Sequence, residues 1–411
     1  MRTYEHAKAT DHLGRYYTQN AISRFLVELF PHESPLFVLD LGAGEGALSL
    51  AASTKWSNAD LITIDVDSVA SQVLTERLLA GEFRGKHHHL PDDALGLNLK
   101  DSLAARSIGP LDVAICNPPF LIPKWCDDYS SILEDAGFSG SLPAITTTDA
   151  AALFLAQNMR LIAEGGSLGI IVPDSLVCAE KYLGFRSSLL DKYDVLQAIR
   201  LPRGSFVGTD ALAHILVISK RKPTSGLVRL SCLPSEHGGL LNMTVDRDLA
   251  AKRLDFFYHS AQMLNNNSTI ILSDVIIDLR RGSLNSAEVR SAESFVLHTT
   301  DINANMLGKW VDFSKRKFAP GKVPRITSIA EPGDIVIARV GRNAAEKVIG
   351  ISGGPVALSD CLYRVRVKDE YRDLVLNSLS SLPGKRWMEM HAYGVAARHI
   401  NKSDLLNMPL S

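Results

Sequence analysis

At 411 residues, 46% of them hydrophobic and 22% charged, the chain has the make-up of a soluble globular protein with room for two or three domains. No run approaches the roughly 18 apolar residues of a membrane span, and the opening MRTYEHAKATDHLGRYYTQ lacks the build of a signal peptide, so a cytoplasmic protein is expected. A net charge of −1 points to no polyanionic partner, and Cys116, Cys126, Cys178, Cys232 and Cys361 form no CxxC pair, which argues against a zinc site or a disulfide frame.

From Leu36 to Lys220, short β-branched runs alternate with helix-like segments. FVLDLG, LITIDVD, LDVAICN, SLGIIVP, VLQAIRLP and HILVISK read as strands. ALSLAAS, SVASQVLTERLLAG and DAAALFLAQNMRLIAEGG read as helices, the last expected to stop on Gly165-Gly166. Strands apolar on both faces and separated by helices require a parallel sheet covered on each side. The expected fold is therefore α/β, doubly wound, with a mostly parallel sheet. RKPTSG, from Arg221 to Gly226, breaks the pattern. Beyond it, glycines and short strands such as GDIVIARV and CLYRVRVK dominate, with helix-like sequence at DLVLNSLSSL. The predicted organisation is an α/β domain over 1–225, a connector over 226–268 and a mixed, β-rich domain over 269–411.

The first strand runs into Asp40-Leu41-Gly42-Ala43-Gly44-Glu45-Gly46 and then a helix. Gly42, Gly44 and Gly46 let the backbone turn tightly and approach a ligand. The third glycine comes one residue too early for a dinucleotide loop, and the Gly-Lys-Ser/Thr of a phosphate loop is absent. Asp40 would repel a phosphate but suits a ligand with a positive amino group. Asp65 closes the next strand and can accept from both hydroxyls of a ribose. Together these features fit S-adenosylmethionine better than NAD, although glycine-rich strand–helix turns occur in many α/β proteins. Asp92 and Asp93 fall where a third strand ends, Asp93 being the candidate adenine contact. The preceding His87-His88-His89 reads as a surface loop rather than a metal site, for want of partnering ligands.

Asn117-Pro118-Pro119-Phe120 follows the strand LDVAIC directly. The double proline ends the strand and holds the backbone extended, which fixes the Asn117 side-chain oxygen and the Pro118 carbonyl. Two fixed acceptors can bind both hydrogens of an aromatic amine and concentrate its lone pair for attack on a methyl group, while Phe120 offers a stacking face. The bland reading is a strand-ending turn. A nucleophilic cysteine is not required, so Cys116 reads as a small buried strand residue.

On these residues the chain resembles the amino-methyltransferases of restriction–modification systems, over most of residues 12–220. NPPF matches that family's catalytic motif and DLGAGEG its cofactor motif, with Asp65 as the ribose acid. The resemblance extends to Gly14-Arg15-Tyr16-Tyr17-Thr18, which makes Tyr17 and Thr18 candidate cofactor contacts, with Gln19 in place of the usual proline. It also places Phe206 where an aromatic packs on a flipped base. It implies N6 methylation of adenine in double-stranded DNA, the base rotated out of the duplex. An initial asparagine favours adenine over cytosine in that family.

In the C-terminal half, LSDVIIDLRRGS, VLHTTDIN, EPGDIVIARVGRN, ALSDCLYRVRVK and GVAARHINKSDLLNMPL resemble one target recognition domain of restriction specificity subunits. Between Arg280 and Lys347 there are 12 Lys/Arg against 7 Asp/Glu. Arg280, Arg281, Arg339 and Arg342 are candidate DNA contacts, because arginine binds guanine edges and phosphates through a fork. Gly333 and Asp334 are expected to shape a turn. No Walker motif is present, and Pro173-Asp174 lacks a downstream acid–x–lysine partner, so no nuclease or helicase is expected. The expected partner beyond DNA is a separate defence-system subunit. The rival readings are methylation of RNA or of a protein glutamine, and a DNA-binding subunit inactive without a partner.

Overall fold

The computed structural model describes residues 20–142, 148–206, 211–234, 239–264, 270–316, 318–319, 328–341, 343–394 and 398–410. The chain divides into two compact units, Met1–Phe256 and Phe257–Ser411.

The first unit is built on β1 (Phe37–Leu41), β2 (Asp60–Ile64), β3 (His87–Leu90), β4 (Leu111–Cys116), β5 (Ile162–Pro173), β6 (Asp194–Arg200), β7 (Ala213–Ser219), β8 (Leu227–Cys232) and β9 (Leu241–Asp246). They form one sheet in the order β3-β2-β1-β4-β5-β7-β6-β8-β9. β7 runs antiparallel to both β5 and β6, whereas β1 to β5 pair in parallel. The order reverses between β1 and β4, the place in open α/β sheets where a crevice opens beyond the strand ends. Val38 and Leu39 on β1, Leu61 and Ile62 on β2, and Val113 and Ala114 on β4 are all buried, as strands covered on both faces require. Helix α1 (Asn20–Glu28) precedes β1; helices α2 (Ala47–Lys55), α3 (Ser68–Leu79), α4 (Leu99–Ala105), α5 (Asp128–Asp135), α6 (Ala150–Leu161), α7 (Asp174–Cys178) and α8 (Leu183–Lys192) connect the strands, and α9 (Arg247–Lys252) follows β9. The fold is the doubly wound α/β arrangement expected.

Three local expectations change. Helix α6 stops at Leu161, and the chain passes straight into β5. Gly165, with φ +82°, turns within that strand beside the register shift between Leu111 and Val113, so its glycine serves a bend rather than a helix stop. The histidine run is not a surface loop but the edge strand β3. Its register sets His87, His88 and His89 beside Leu61, Ile62 and Thr63. The Thr63 hydroxyl bonds His87 Nε2 at 2.8 Å and His89 Nδ1 at 3.0 Å, and Thr75 meets the other nitrogen of His87. Burial pulls the His87 imidazole down to about 4, and its histidine neighbours add to the shift.

The third change is in the segment expected to connect two domains. β8 and β9 extend the first sheet, and α9 docks beneath it through Arg186. That side chain is 1% exposed. It donates to the carbonyls of Ala251, Lys252, Leu176 and Ala179 at 2.7–3.0 Å. Four acceptors replace the water that a buried guanidinium loses. The compact unit therefore runs on to Phe256.

The second unit holds a five-stranded sheet, β10-β17-β14-β15-β12, and a three-stranded one, β11-β16-β13. The strands are β10 (Ile276–Arg281), β11 (Val296–Leu297), β12 (Trp310–Asp312), β13 (Ile329–Ala330), β14 (Ile335–Ala338), β15 (Val348–Gly353), β16 (Val356–Leu358) and β17 (Leu362–Val367). Ile335, Ile337 and Val365 of the larger sheet pack on Leu379, Trp387 and Leu405 from the C-terminal helices. Ahead of β14, Gly333 takes φ +96° and the Asp334 carboxylate accepts the Glu331 amide at 2.8 Å, the turn expected there.

Candidate active site

β1 ends in the glycine turn, and all three glycines hold positive φ: +78° at Gly42, +50° at Gly44 and +76° at Gly46. They do different work. A Cβ on Gly46 would lie 2.4 Å from Leu74 Cδ1, so this glycine lets α3 pack against the turn. A Cβ on Gly44 would meet nothing within 4 Å, which leaves its backbone open to a ligand. Asp65, at the end of β2, locks the turn by accepting the Gly44 amide at 2.7 Å and the Asp67 amide at 2.8 Å. Gly46→Ala is expected to cost about 1–3 kcal/mol through overpacking and backbone strain. The urea midpoint reads this loss, and an unchanged midpoint would show that Leu74 yields.

The turn forms the floor of a cavity of about 370 Å³, within the roughly 300–1,000 Å³ of small-molecule sites. Asp40, Gly42, Gly44, Gly46, Asp65, Asp93 and Asn117 all line it, so the glycine turn, the three acids and the start of the NPPF segment come together. Pro119 lines it as well, whereas Pro118 is buried beside it. Tyr17 and Thr18 lie outside the described residues. The sequence reading missed Val66, Leu121, Tyr129 and Phe154, which supply the apolar wall. Tyr129, on α5, packs edge-on against Trp125 with centroids 5.6 Å apart. Burial pushes its hydroxyl up to about 12, with Cys126 and Asp93 adding to the shift.

Asp40 is the site's unusual acid. It is 1% exposed and accepts a hydrogen bond from Ser49 Oγ at 2.6 Å. Burial pushes its carboxyl up to about 7, the Ser49 bond opposing this and the charge of Asp65 adding to it. A cation placed at this wall would restore the charged form. Cys116, fully buried at the end of β4, donates to the Leu41 carbonyl at 3.1 Å. Burial pushes its thiol well above the ordinary range, so it offers no thiolate nucleophile.

β4 delivers Asn117 to the cavity at the reversal of strand order. Phe120, half-buried, meets Phe206 edge-to-face with centroids 5.8 Å apart, and Phe206 is 2% exposed. The two aromatics expected to receive a base thus stand together.

In the second unit, Arg280 has a side chain 60% exposed and pairs with Asp278 at 2.9 Å. Arg281 and Arg339 each donate to the Asp360 carbonyl at 3.0 Å, and Arg281 also reaches the Asp360 carboxylate at 2.8 Å. They brace the turn between β16 and β17. Arg342 lies outside the described residues.

The nine-stranded sheet with its antiparallel seventh strand and the cavity at the strand-order reversal define the S-adenosylmethionine-dependent methyltransferase fold, followed by a β-rich unit. The chain belongs to the N-6 DNA Methylase family, whose sequence model matches residues 1–231. It is 28% identical over 202 residues to the type II methyltransferase M.BsuBI of Bacillus subtilis, a match covering 46% of this chain and 39% of that protein. Among solved structures it resembles the type IIG restriction endonuclease BpuSI, with a TM-score of 0.52 and 14% identity over 95% of this chain and 57% of the other. It also resembles the type IIL restriction-modification enzyme MmeI in complex with DNA, with a TM-score of 0.56 and 13% identity over 90% of this chain and 61% of the other. The chain thus spans less than two thirds of each of these proteins. At such identities the structural likenesses concern the fold.

Proposed function

We propose that the chain is a site-specific DNA methyltransferase that uses S-adenosylmethionine to methylate the N6 amine of adenine in double-stranded DNA. The observation that carries this reading is the meeting, around one cavity, of the Gly44–Asp65 turn with Asn117 and Pro119 from the neighbouring strand end. The residues fit the cofactor. Gly44 leaves space where a side chain would intrude, Asp65 stands ready for ribose hydroxyls, and the buried Asp40 suits a cationic amine. Asp93 and the apolar wall suit an adenine ring. When bound, S-adenosylmethionine supplies a methyl group on a positively charged sulfur.

The chain's own residues do the rest. Asn117 and the Pro118 carbonyl accept the two amine hydrogens, hold the nitrogen lone pair in line and stabilise the charge that grows there. Phe120 receives the ring after the base leaves the duplex, at a cost of a few kcal/mol, with Phe206 packed edge-to-face behind it. The region 1–225 catalyses, and 269–411 recognises the target sequence. Arg280 and Arg342 contact DNA there, while Arg281 and Arg339 reach it with the donors that Asp360 leaves over. The names of BpuSI, a restriction endonuclease, and MmeI, a restriction-modification enzyme, support a setting in restriction–modification; a separate defence-system subunit as partner and a cytoplasmic location complete the proposal. No helix among the described residues is long and apolar enough to cross a membrane.

Transfer of labelled methyl groups to unmethylated DNA, RNA and protein, assayed side by side, tests the substrate. Label in DNA is expected, and label confined to RNA or protein would refute the DNA reading.

A further inference from the structure

A buried polar cluster lies where β5 and β6 end and β7 begins, apart from the residues that line the cavity. Asp174, the first residue of α7, is 1% exposed, and His214, on β7, is 0% exposed. A carboxylate only accepts, so His214 Nε2 carries the proton of their 3.0 Å bond. Asp174 Oδ1 also lies 3.5 Å from the donating Cys178 Sγ. Arg200, the last residue of β6, forks onto both oxygens of Asp255 at 3.1 and 3.2 Å. Asp255 is 0% exposed and comes from beyond α9.

The main chain ties the same place. Leu201 donates to Ala213 at 3.0 Å, Asp174 donates to Leu212 at 3.0 Å, and Leu233 donates to Arg200 at 2.9 Å. Arg200 and His214 are register partners across β6 and β7. They stand at the two roots of the connection that carries Phe206.

Buried ion pairs seldom add stability over apolar side chains of like volume, because each charge must first be stripped of water. Their surer effect is to fix one arrangement, since any other leaves a charge unpaired. What this cluster brackets is the ring that meets Phe120.

The ligand atoms of Asp174, Cys178 and His214 lie within 4.8 Å of one another, which raises the question of a metal ion. The acid is already satisfied from within the chain: Asp174 accepts from His214 and Cys178, and the charge of Arg200, which forks onto Asp255, also acts on Asp174.

We propose that Asp174, His214, Arg200 and Asp255 are positioning residues that clamp both roots of the β6–β7 connection and hold Phe206 behind Phe120, whose half-buried ring is the wall on which the target base stacks. The wall's use rests on the proposed function, whereas the clamp is a property of the chain alone. The test therefore reads both. Para-cyanophenylalanine at position 206 of the full chain gives a nitrile stretch that separates an apolar from a watery setting. Three backgrounds are compared with the parent: His214→Leu, His214→Gln, and the double variant Arg200→Met with Asp255→Leu, which removes both charges of that pair together, each background first checked for the parent's circular dichroism spectrum and cooperative melting.

A narrow apolar band is expected in the parent and in His214→Gln, whose amide can still donate to Asp174. A shifted, broadened band is expected in the other two. In the same chains carrying Phe206 itself, kcat/KM for DNA is expected to fall on the order of ten- to a hundredfold, the cost of a misplaced reacting group, while cofactor affinity stays at the parent value. An unmoved band in the double variant overturns the clamp, as does a moved band with kcat/KM intact. One zinc per chain, lost in His214→Leu, overturns it too. A moved band in a chain whose parent methylates no DNA leaves the clamp standing and removes the proposed function.

Discussion

Asn117→Ala is expected to slow methyl transfer to DNA by about 10²–10³-fold, the cost of removing one preorganised partner from a developing charge, while cofactor still binds. The apolar run LDVAIC of β4 is buried against β1 and β5, which fixes where the strand ends. Two prolines then hold the next residues extended, so Asn117 is presented to the cavity by a rigid frame. Cutting the side chain at Cβ removes one of the two acceptors for the amine hydrogens and leaves the frame intact. The Asp65–Gly44 lock lies on the other strands, so cofactor affinity should hold. Single-turnover rates at saturating cofactor separate the two effects. Asn117→Ser, with a shorter acceptor, should fall between the parent and alanine. An Asn117→Ala chain that transfers methyl groups at the parent rate would remove the role assigned here.

The second large effect is in pH. Asp40 is raised to about 7 in the folded chain from an ordinary 3.8. The sign follows. Between those values the folded chain keeps a proton that the unfolded chain has lost, so the stability it contributes is present below pH 3.8 and is lost as pH rises through about 7. A cation bound beside Asp40 favours the charged carboxylate and reverses this preference. Affinity for S-adenosylmethionine should therefore rise by up to about tenfold per pH unit below about pH 7 and level off above it. Binding near pH 6 should release close to one proton, read by calorimetry in two buffers of different ionisation heat. Asp40→Asn should flatten the profile. An affinity independent of pH with no proton released would show that no cation meets Asp40.

The parts of the site that the sequence disclosed are those written in consecutive residues. The glycine turn, the acid at the end of β2 and the proline-locked Asn117 each carry their geometry in local backbone chemistry, and the alternation of strands and helices places them on one edge. The wall residues Tyr129 and Phe154 come from α5 and α6, where an aromatic on a helix reads as core, and only the packed fold shows them facing the cavity. The histidine run hid a strand because imidazoles carry no strand pattern until Thr63 and Thr75 satisfy them. Arg281 and Arg339 read as free cations in one dimension, yet both fold back onto Asp360. Asp255 could not be matched to Arg200 from spacing alone, since they lie 55 residues apart.

Nucleoside analysis of DNA incubated with the full chain and S-adenosylmethionine tests the central claim most directly. N6-methyldeoxyadenosine, formed by the parent chain and missing with Asn117→Ala, is the predicted result. A methyl group found on cytosine, or DNA left unmodified while RNA is methylated, would contradict it.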